Sequence, residues 1–169
     1  MIDDEPPERG KLILNEMERA LNDSRPYMIM MGRGNGKTSL TECAAVYAMA
    51  TGKRRFPVII SANARAASNI LNDIFRIFTE RETIFAEDYP DLCLPFLLSN
   101  GSYRRKQTYK GISTEIGKTA NQANFARLTR PDGSIPSSGC VIATRGIGSG
   151  IRGLKHRTMR PDLVLLDDL

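Results

Sequence analysis

The sequence predicts an α/β fold with a mainly parallel sheet, and three observations carry that reading. Short aliphatic runs (Tyr27 to Met31, Phe56 to Ser61, Cys140 to Thr144, Leu163 to Leu166) are spread along the chain, with helical patterns after the first two. The first of these runs breaks into a glycine loop, Gly32-Arg33-Gly34-Asn35-Gly36-Lys37-Thr38, and a helical pattern follows it from Ser39 to about Ala50. The last run, Leu163-Val164-Leu165-Leu166, ends in Asp167 and Asp168. An aliphatic run this short suits a parallel strand buried on both faces. Its final residues then project at the carboxyl edge of the sheet, where ligands bind in open α/β folds.

Taken in order, residues 1–10 are acidic and proline-rich and read as a disordered lead. From Lys11 to Asn22 the apolar positions Leu12, Ile13, Met17, Ala20 and Leu21 fit a short amphipathic helix. Asp23-Ser24-Arg25-Pro26 turns the chain into the first strand, Tyr27 to Met31. A strand, a glycine loop and a helix in that order form the phosphate-binding arrangement of P-loop proteins. Several backbone N–H groups must converge on one polyphosphate, which favours residues without a Cβ, and the helix N-terminus adds its positive dipole end. Lys37 would reach the β- and γ-phosphates, and the Thr38 hydroxyl would hold Mg²⁺. The usual spacing places a glycine five residues before Gly36, where this chain has Met31; glycines stand instead at Gly32 and Gly34.

The helix after the loop should end near Thr51-Gly52, with glycine in a left-handed cap. Phe56 to Ser61 reads as a second strand. From Asn63 onward Ile70, Leu71, Ile74, Phe75, Ile77 and Phe78 form one apolar helical stripe, a core feature. Glu80 to Asp91 is acidic and breaks at Pro90, and the apolar stretch Leu92 to Leu98 is interrupted by Pro95. Thr129 to Ser138 reads as a surface loop or hairpin turn, and Cys140 to Thr144 as a third sheet strand. Gly148-x-Gly150-x-x-Gly153 formally matches a dinucleotide fingerprint, but no amphipathic helix follows it, so that reading is rejected. The glycine loop with Arg145 and Arg152 reads better as an arginine-supplying or DNA-sensing loop.

The closing acids complete the P-loop chemistry. Asp167 would hold Mg²⁺, directly or through water, and Asp168 would orient and polarise the attacking water. The three cysteines, Cys43, Cys93 and Cys140, lie far apart without C-x-x-C spacing and read as small buried hydrophobes. His156 stands alone in a basic segment, with no ligand partner near it in sequence. No apolar run approaches membrane-span length and the acidic start is unlike a signal peptide, which predicts a soluble intracellular protein without membrane contact.

The chain has 169 residues and a net charge of +5, one domain by size. Its charge is unevenly spread: residues 1–100 hold 12 Lys and Arg against 14 Asp and Glu, whereas residues 101–161 hold 12 against only Glu115 and Asp132. Such asymmetry predicts a polyanionic partner beyond the nucleotide. Tyr103-Arg104-Arg105-Lys106-Gln107-Thr108-Tyr109-Lys110 interleaves aromatics with cations, which suits phosphate contact with stacking.

Three motifs together resemble the ATPase domain of the large terminase subunit of tailed bacteriophages. Gly32 to Thr38 is similar to that family's deviant P-loop, which carries an arginine where Arg33 stands. Gly148-Ser149-Gly150-Ile151-Arg152-Gly153 is similar to its Gly-Ser and Arg-Gly loop, and Arg160-Pro161-Asp162 through Asp168 to its Walker B approach. The resemblance runs from about Leu12 to the last residues and implies a RecA/ASCE-like three-layer P-loop fold, incomplete at its C-terminus, over residues 11–169. It implies ATP and Mg²⁺ as cofactors, with Gly32, Arg33, Gly34, Asn35, Gly36, Lys37 and Thr38 binding nucleotide and Thr38 and Asp167 binding metal. Arg33 would sense the γ-phosphate in cis, Arg152 would serve as an arginine finger, and Asp168 stands where the family has a catalytic glutamate one methylene longer. Double-stranded DNA would be the substrate of the complete protein, in a homo-oligomeric ring working with a portal protein and a small terminase subunit. The location implied is the host-cell cytoplasm, transiently at the procapsid. The nuclease domain of such motors is absent, so the chain is expected to be the front half of a motor. Two other expectations stand beside it: another nucleic-acid-dependent P-loop ATPase of helicase type, and a non-catalytic nucleotide- or DNA-binding remnant.

Overall fold

A computed structural model describes residues 8–32, 34–80, 84–100, 103, 108–109, 111–128, 137–150 and 153–168. The chain divides into two compact units, Met1–Asn35 and Gly36–Leu169.

In the first unit, α1 runs Glu8–Asp23, starting three residues ahead of the expected helix. A Glu16–Arg19 ion pair of 2.8 Å lies one turn apart on its surface. Leu12, expected on the apolar stripe, is exposed. Ser24 takes a left-handed φ of 54° and the Arg25 N–H returns to the Ala20 carbonyl, ending the helix. The strand expected at Tyr27 to Met31 is not formed: these residues are neither helix nor strand, and Met28 and Met30 are 82% and 84% exposed. An apolar run signals a preference for burial, but a strand exists only where a neighbour completes its ladder. The glycine loop follows as a turn in which the Asn35 N–H approaches the Gly32 carbonyl at 3.4 Å.

The second unit is an α/β arrangement around a five-stranded mixed sheet. Its elements are α2 (Lys37–Ala50), β1 (Pro57–Ser61), α3 (Ala64–Thr79), α4 (Ile84–Asp88), α5 (Pro90–Leu97), β2 (Thr108–Tyr109), β3 (Ile112–Ser113), β4 (Gly117–Lys118), β5 (Gln122–Asn124), β6 (Val141–Gly146) and β7 (Leu163–Asp167). The sheet order is β4-β5-β6-β1-β7, with β2 and β3 a separate antiparallel pair. β1 pairs in parallel with both β6 and β7, so Ser61 lies level with Gly146 on one side and Asp167 on the other. β4 and β5 extend the sheet in antiparallel fashion. The sequence shows no strand signal for these two, because a two- or three-residue strand carries too few side chains to show a period.

Local chemistry explains the main elements. The Asn63 side chain caps α3 by accepting from the Ala66 N–H at 2.9 Å. The predicted stripe of that helix is buried: Ile70, Leu71, Ile74, Phe75 and Phe78. Gly52 takes the left-handed cap expected after α2, at φ 71°. Pro90 opens α5, which tolerates Pro95 inside its short span.

Every residue of β1 is buried. Alternate strand residues divide between two cores. One gathers Ile59, Ile142 and Leu165 with α2, α3 and α5, around Phe75, Phe78, Phe96 and Phe125. These rings meet edge to face, as in Phe78–Phe125 at 4.6 Å and Phe75–Phe96 at 4.9 Å. The other holds Phe56, Val58, Ile60, Val141 and Ala143, with Leu154 and Met159 of the loop before β7 packed against them. Among the described residues of this unit, the helices of the core therefore cover one face of the sheet.

Other expectations need correction. β7 is parallel as predicted but is an edge strand, with Val164 50% and Leu166 60% exposed rather than buried on both faces. Tyr103 is no stacking platform: its ring packs edge-on against Phe75 at 5.0 Å and Phe96 at 5.5 Å. Arg104, Arg105, Lys106, Gln107 and Lys110 lie outside the described residues. Cys93 and Cys140 are buried, and burial pushes each thiol up to about 11, but Cys43 is exposed. No described helix is long and apolar enough to cross a membrane.

Candidate nucleotide site

The carboxyl ends of β1, β6 and β7 place Ser61, Gly146 and Asp167 side by side, and α2 begins beside them. Gly36 precedes that helix with φ 76°, a backbone conformation natural to glycine, and no side chain caps the first turn. The helix thus opens with uncapped backbone donors and the positive end of its dipole.

Two side-chain contacts join residues far apart in sequence. The Thr38 hydroxyl donates to Asp167 Oδ2 at 3.1 Å across 129 positions. Lys37 Nζ lies 2.9 Å from Asp168 Oδ1, an ion pair with both side chains partly solvated. Asp167 is buried, and its second oxygen, Oδ1, has no hydrogen-bond partner. A buried carboxylate oxygen without a donor is costly unless something positive comes to it. Asp168 holds a left-handed φ of 42°, a strained setting for a residue with a side chain.

The donor set fits Mg²⁺. A hydroxyl and a carboxylate 3.1 Å apart are hard oxygen ligands, and one oxygen of the carboxylate is uncommitted. No group of three or more His, Cys, Asp or Glu side chains poised for a metal occurs among the described residues. An ion such as Mg²⁺, which keeps waters and phosphate oxygens as ligands, does not need one.

Two acids coupled to Asp167 or to each other were missed by sequence reasoning. Glu42 stands one helical turn beyond Thr38, and its carboxyl is held above the usual carboxylate range by burial, then by Asp73 and Asp167. The Thr38 to Glu42 spacing of i, i+4 was a readable signal for the first. Nothing in the sequence marked Asp73. Sequence reasoning also overlooked why Gly146 is glycine. A Cβ there would sit 2.6 Å from the Ala64 backbone N and 2.7 Å from the Asn63 carbonyl carbon, so the β1–α3 loop can cross only a bare backbone.

The remaining predicted residues are dispersed or undescribed. Gly32, Gly34 and Asn35 belong to the first unit, while Gly36, Lys37 and Thr38 begin the second. Arg33 and Arg152 lie outside the described residues. Arg145, read as part of a loop, is in β6, where its guanidinium donates to the Asn121 and Thr144 carbonyls at 3.0 and 2.8 Å. His156 Nδ1 lies 3.2 Å from Gln122 Nε2. No family model, curated protein or solved structure matches the chain.

Proposed function

We propose that the chain is a P-loop ATPase domain that binds ATP with Mg²⁺, of the type that drives double-stranded DNA packaging in terminase large subunits. The observation that carries the reading is the meeting of Thr38 with Asp167, beside the pairing of Lys37 with Asp168. Hydroxyl, ammonium and two carboxylates come together at the start of a helix and the carboxyl end of a parallel strand, as nucleotide chemistry requires.

In this reading Gly32, Arg33, Gly34, Asn35 and Gly36 bind nucleotide, a role that rests on the sequence motif, and Lys37 binds the β- and γ-phosphates. Thr38 and Asp167 hold Mg²⁺, which when bound offsets phosphate charge. Asp168 orients and polarises the attacking water. The ion pair adds a step: Lys37 must leave Asp168 to meet the phosphates, so nucleotide binding frees the carboxylate for its catalytic task. Arg33 and Arg152 serve as γ-phosphate sensor and arginine finger, roles that rest on the sequence resemblance. The basic stretch 101–161 grips duplex DNA, with affinity that falls steeply as salt rises.

Calorimetry with Mg²⁺ and ATP tests the core of the proposal. Lys37→Ala should abolish measurable binding, and unchanged affinity would sink the assignment. A turnover assay with and without duplex DNA then separates a motor from a nucleotide-binding remnant.

A further inference from the structure

At the other edge of the sheet, the amino ends of β1 and β6 frame a cavity of about 170 Å³ lined by Arg55, Arg127, Arg157 and His156, with Glu115 the one carboxylate among its described lining residues. That is several times the space one water needs. Backbone contacts hold each arginine in place. The Arg55 carbonyl accepts from the Val141 N–H at 2.9 Å, and the Arg127 N–H donates to the Thr114 carbonyl at 2.9 Å. Arg157 sits in a tight turn whose ends, His156 and Met159, exchange backbone hydrogen bonds of 3.0 and 2.9 Å.

The side chains converge as well. Gly139, at φ 67°, lies under two of them: a Cβ there would be 3.7 Å from Arg127 Cγ and 3.8 Å from Arg55 Nη2. Arg55 also donates to the Ser138 carbonyl. Arg157 Nη2 meets Glu115 Oε1 at 2.6 Å, and both residues of this pair have a left-handed φ of 56°. Two strained non-glycine residues holding one ion pair mark a geometry that its surroundings impose. The Asp162 carboxylate also lies beside Arg55, its oxygens accepting from the Arg55 and Phe56 N–H groups at 2.7 and 2.8 Å. Among the described residues three guanidiniums therefore stand against two carboxylates, Glu115 and Asp162.

We propose that this pocket is a second phosphate-binding site, at the edge of the sheet opposite Asp167, in which Arg55, Arg127 and Arg157 hold one phosphoryl group. The five-residue length of β1 sets the two sites about 16 Å apart along the strand. The forked guanidinium matches phosphate oxygens in pairs, which a lysine cannot do. The phosphoryl group has two sources, free phosphate or nucleotide on one hand and the backbone of a nucleic acid on the other. The site stands on its own residues, independently of nucleotide binding at Lys37.

The test is an amide chemical-shift titration of the full chain with inorganic phosphate at constant ionic strength, in the wild type and in Lys37→Ala. Saturable shifts at Arg55, Arg127, Gly139 and Arg157 are expected in both. Arg127→Ala should weaken binding about tenfold or more, and Arg127→Lys, which keeps the charge without the fork, should fall between. Arg76→Ala, removing an exposed α3 arginine paired with Glu80, should change affinity less than about twofold. A short DNA duplex then separates the sources. Weaker duplex binding by Arg127→Ala assigns the site to backbone phosphate, and unchanged duplex binding assigns it to free phosphate or nucleotide. Absence of saturation, or equal weakening by Arg76→Ala and Arg127→Ala, overturns the proposal.

Discussion

The same three parallel strands carry different chemistry at their two ends. At the carboxyl edge, Asp167 and Asp168 close β7, Asp73 and Asp167 raise the Glu42 carboxyl, and Lys37 pairs with Asp168. At the amino edge, Arg55, Arg127 and Arg157 surround a cavity with Glu115 as its carboxylate. An acid-rich edge with a buried, half-partnered carboxylate recruits a cation, and an arginine-rich edge recruits an anion. The sheet itself is indifferent to this difference, since its ladders use only backbone. What separates the edges is which residues stand at and beyond the strand ends. The chemistry can therefore be altered at one edge while the other is left intact.

The largest effect is expected at the carboxyl edge. Asp168→Asn removes the carboxylate proposed to orient and polarise the attacking water, which should lower ATP turnover about 10²–10⁴-fold. The same change releases Lys37 from its ion pair, so ATP binding should hold or tighten. A parallel loss of binding and turnover would show that the pair serves structure instead.

Next come two substitutions that disturb one edge each. Gly146→Ala forces a methyl group against the Ala64 and Asn63 backbone, which should cost about 3 kcal/mol in urea unfolding. Asp162→Ala strips the acceptor from two N–H groups at the start of β1, for a cost of about 2 kcal/mol. The informative readout is the crossed one. Asp162→Ala should change phosphate binding at the arginine pocket and spare ATP affinity at Lys37, and the reverse pattern would erase the contrast between the edges.

The two edges were also unequally legible in the sequence. Thr38 and Asp167 carry a local signature, a glycine loop before a helix and an aliphatic run before two acids, so their meeting could be expected across 129 positions. Helix α3 was legible because its 16 residues repeat one apolar stripe over several turns. The arginine pocket had no such signature, because Arg55, Arg127 and Arg157 become neighbours only when β5, the turn at Gly139 and the loop before β7 close around them. Strand partnership was similarly hidden. Tyr27 to Met31 and Leu163 to Leu166 look alike as apolar runs, yet only the second finds a ladder, and on one side alone. Hydrophobicity reports a wish for burial, whereas pairing depends on the rest of the chain.

The smallest effect sharpens the comparison by pH. The Glu42 carboxyl is raised above its ordinary value of 4.5, first by burial and then by Asp73 and Asp167. In the folded protein it therefore keeps its proton to a higher pH than in the unfolded chain. Between those two values the folded state binds more protons, so stability falls as pH rises through them. Glu115 behaves in the opposite sense: hydrogen bonding to Arg157 lowers its carboxyl, and the stability it contributes is lost as pH falls through its folded value. Urea unfolding from pH 4 to 7 should thus show Glu42→Gln gaining on the wild type as pH rises, and Glu115→Gln losing ground over the same range. Added Mg²⁺ should narrow the Glu42 difference by offsetting the Asp167 charge, and leave the Glu115 difference unchanged. If both variants track the wild type in parallel, the two edges do not differ in the charge they favour, and the contrast drawn between them fails.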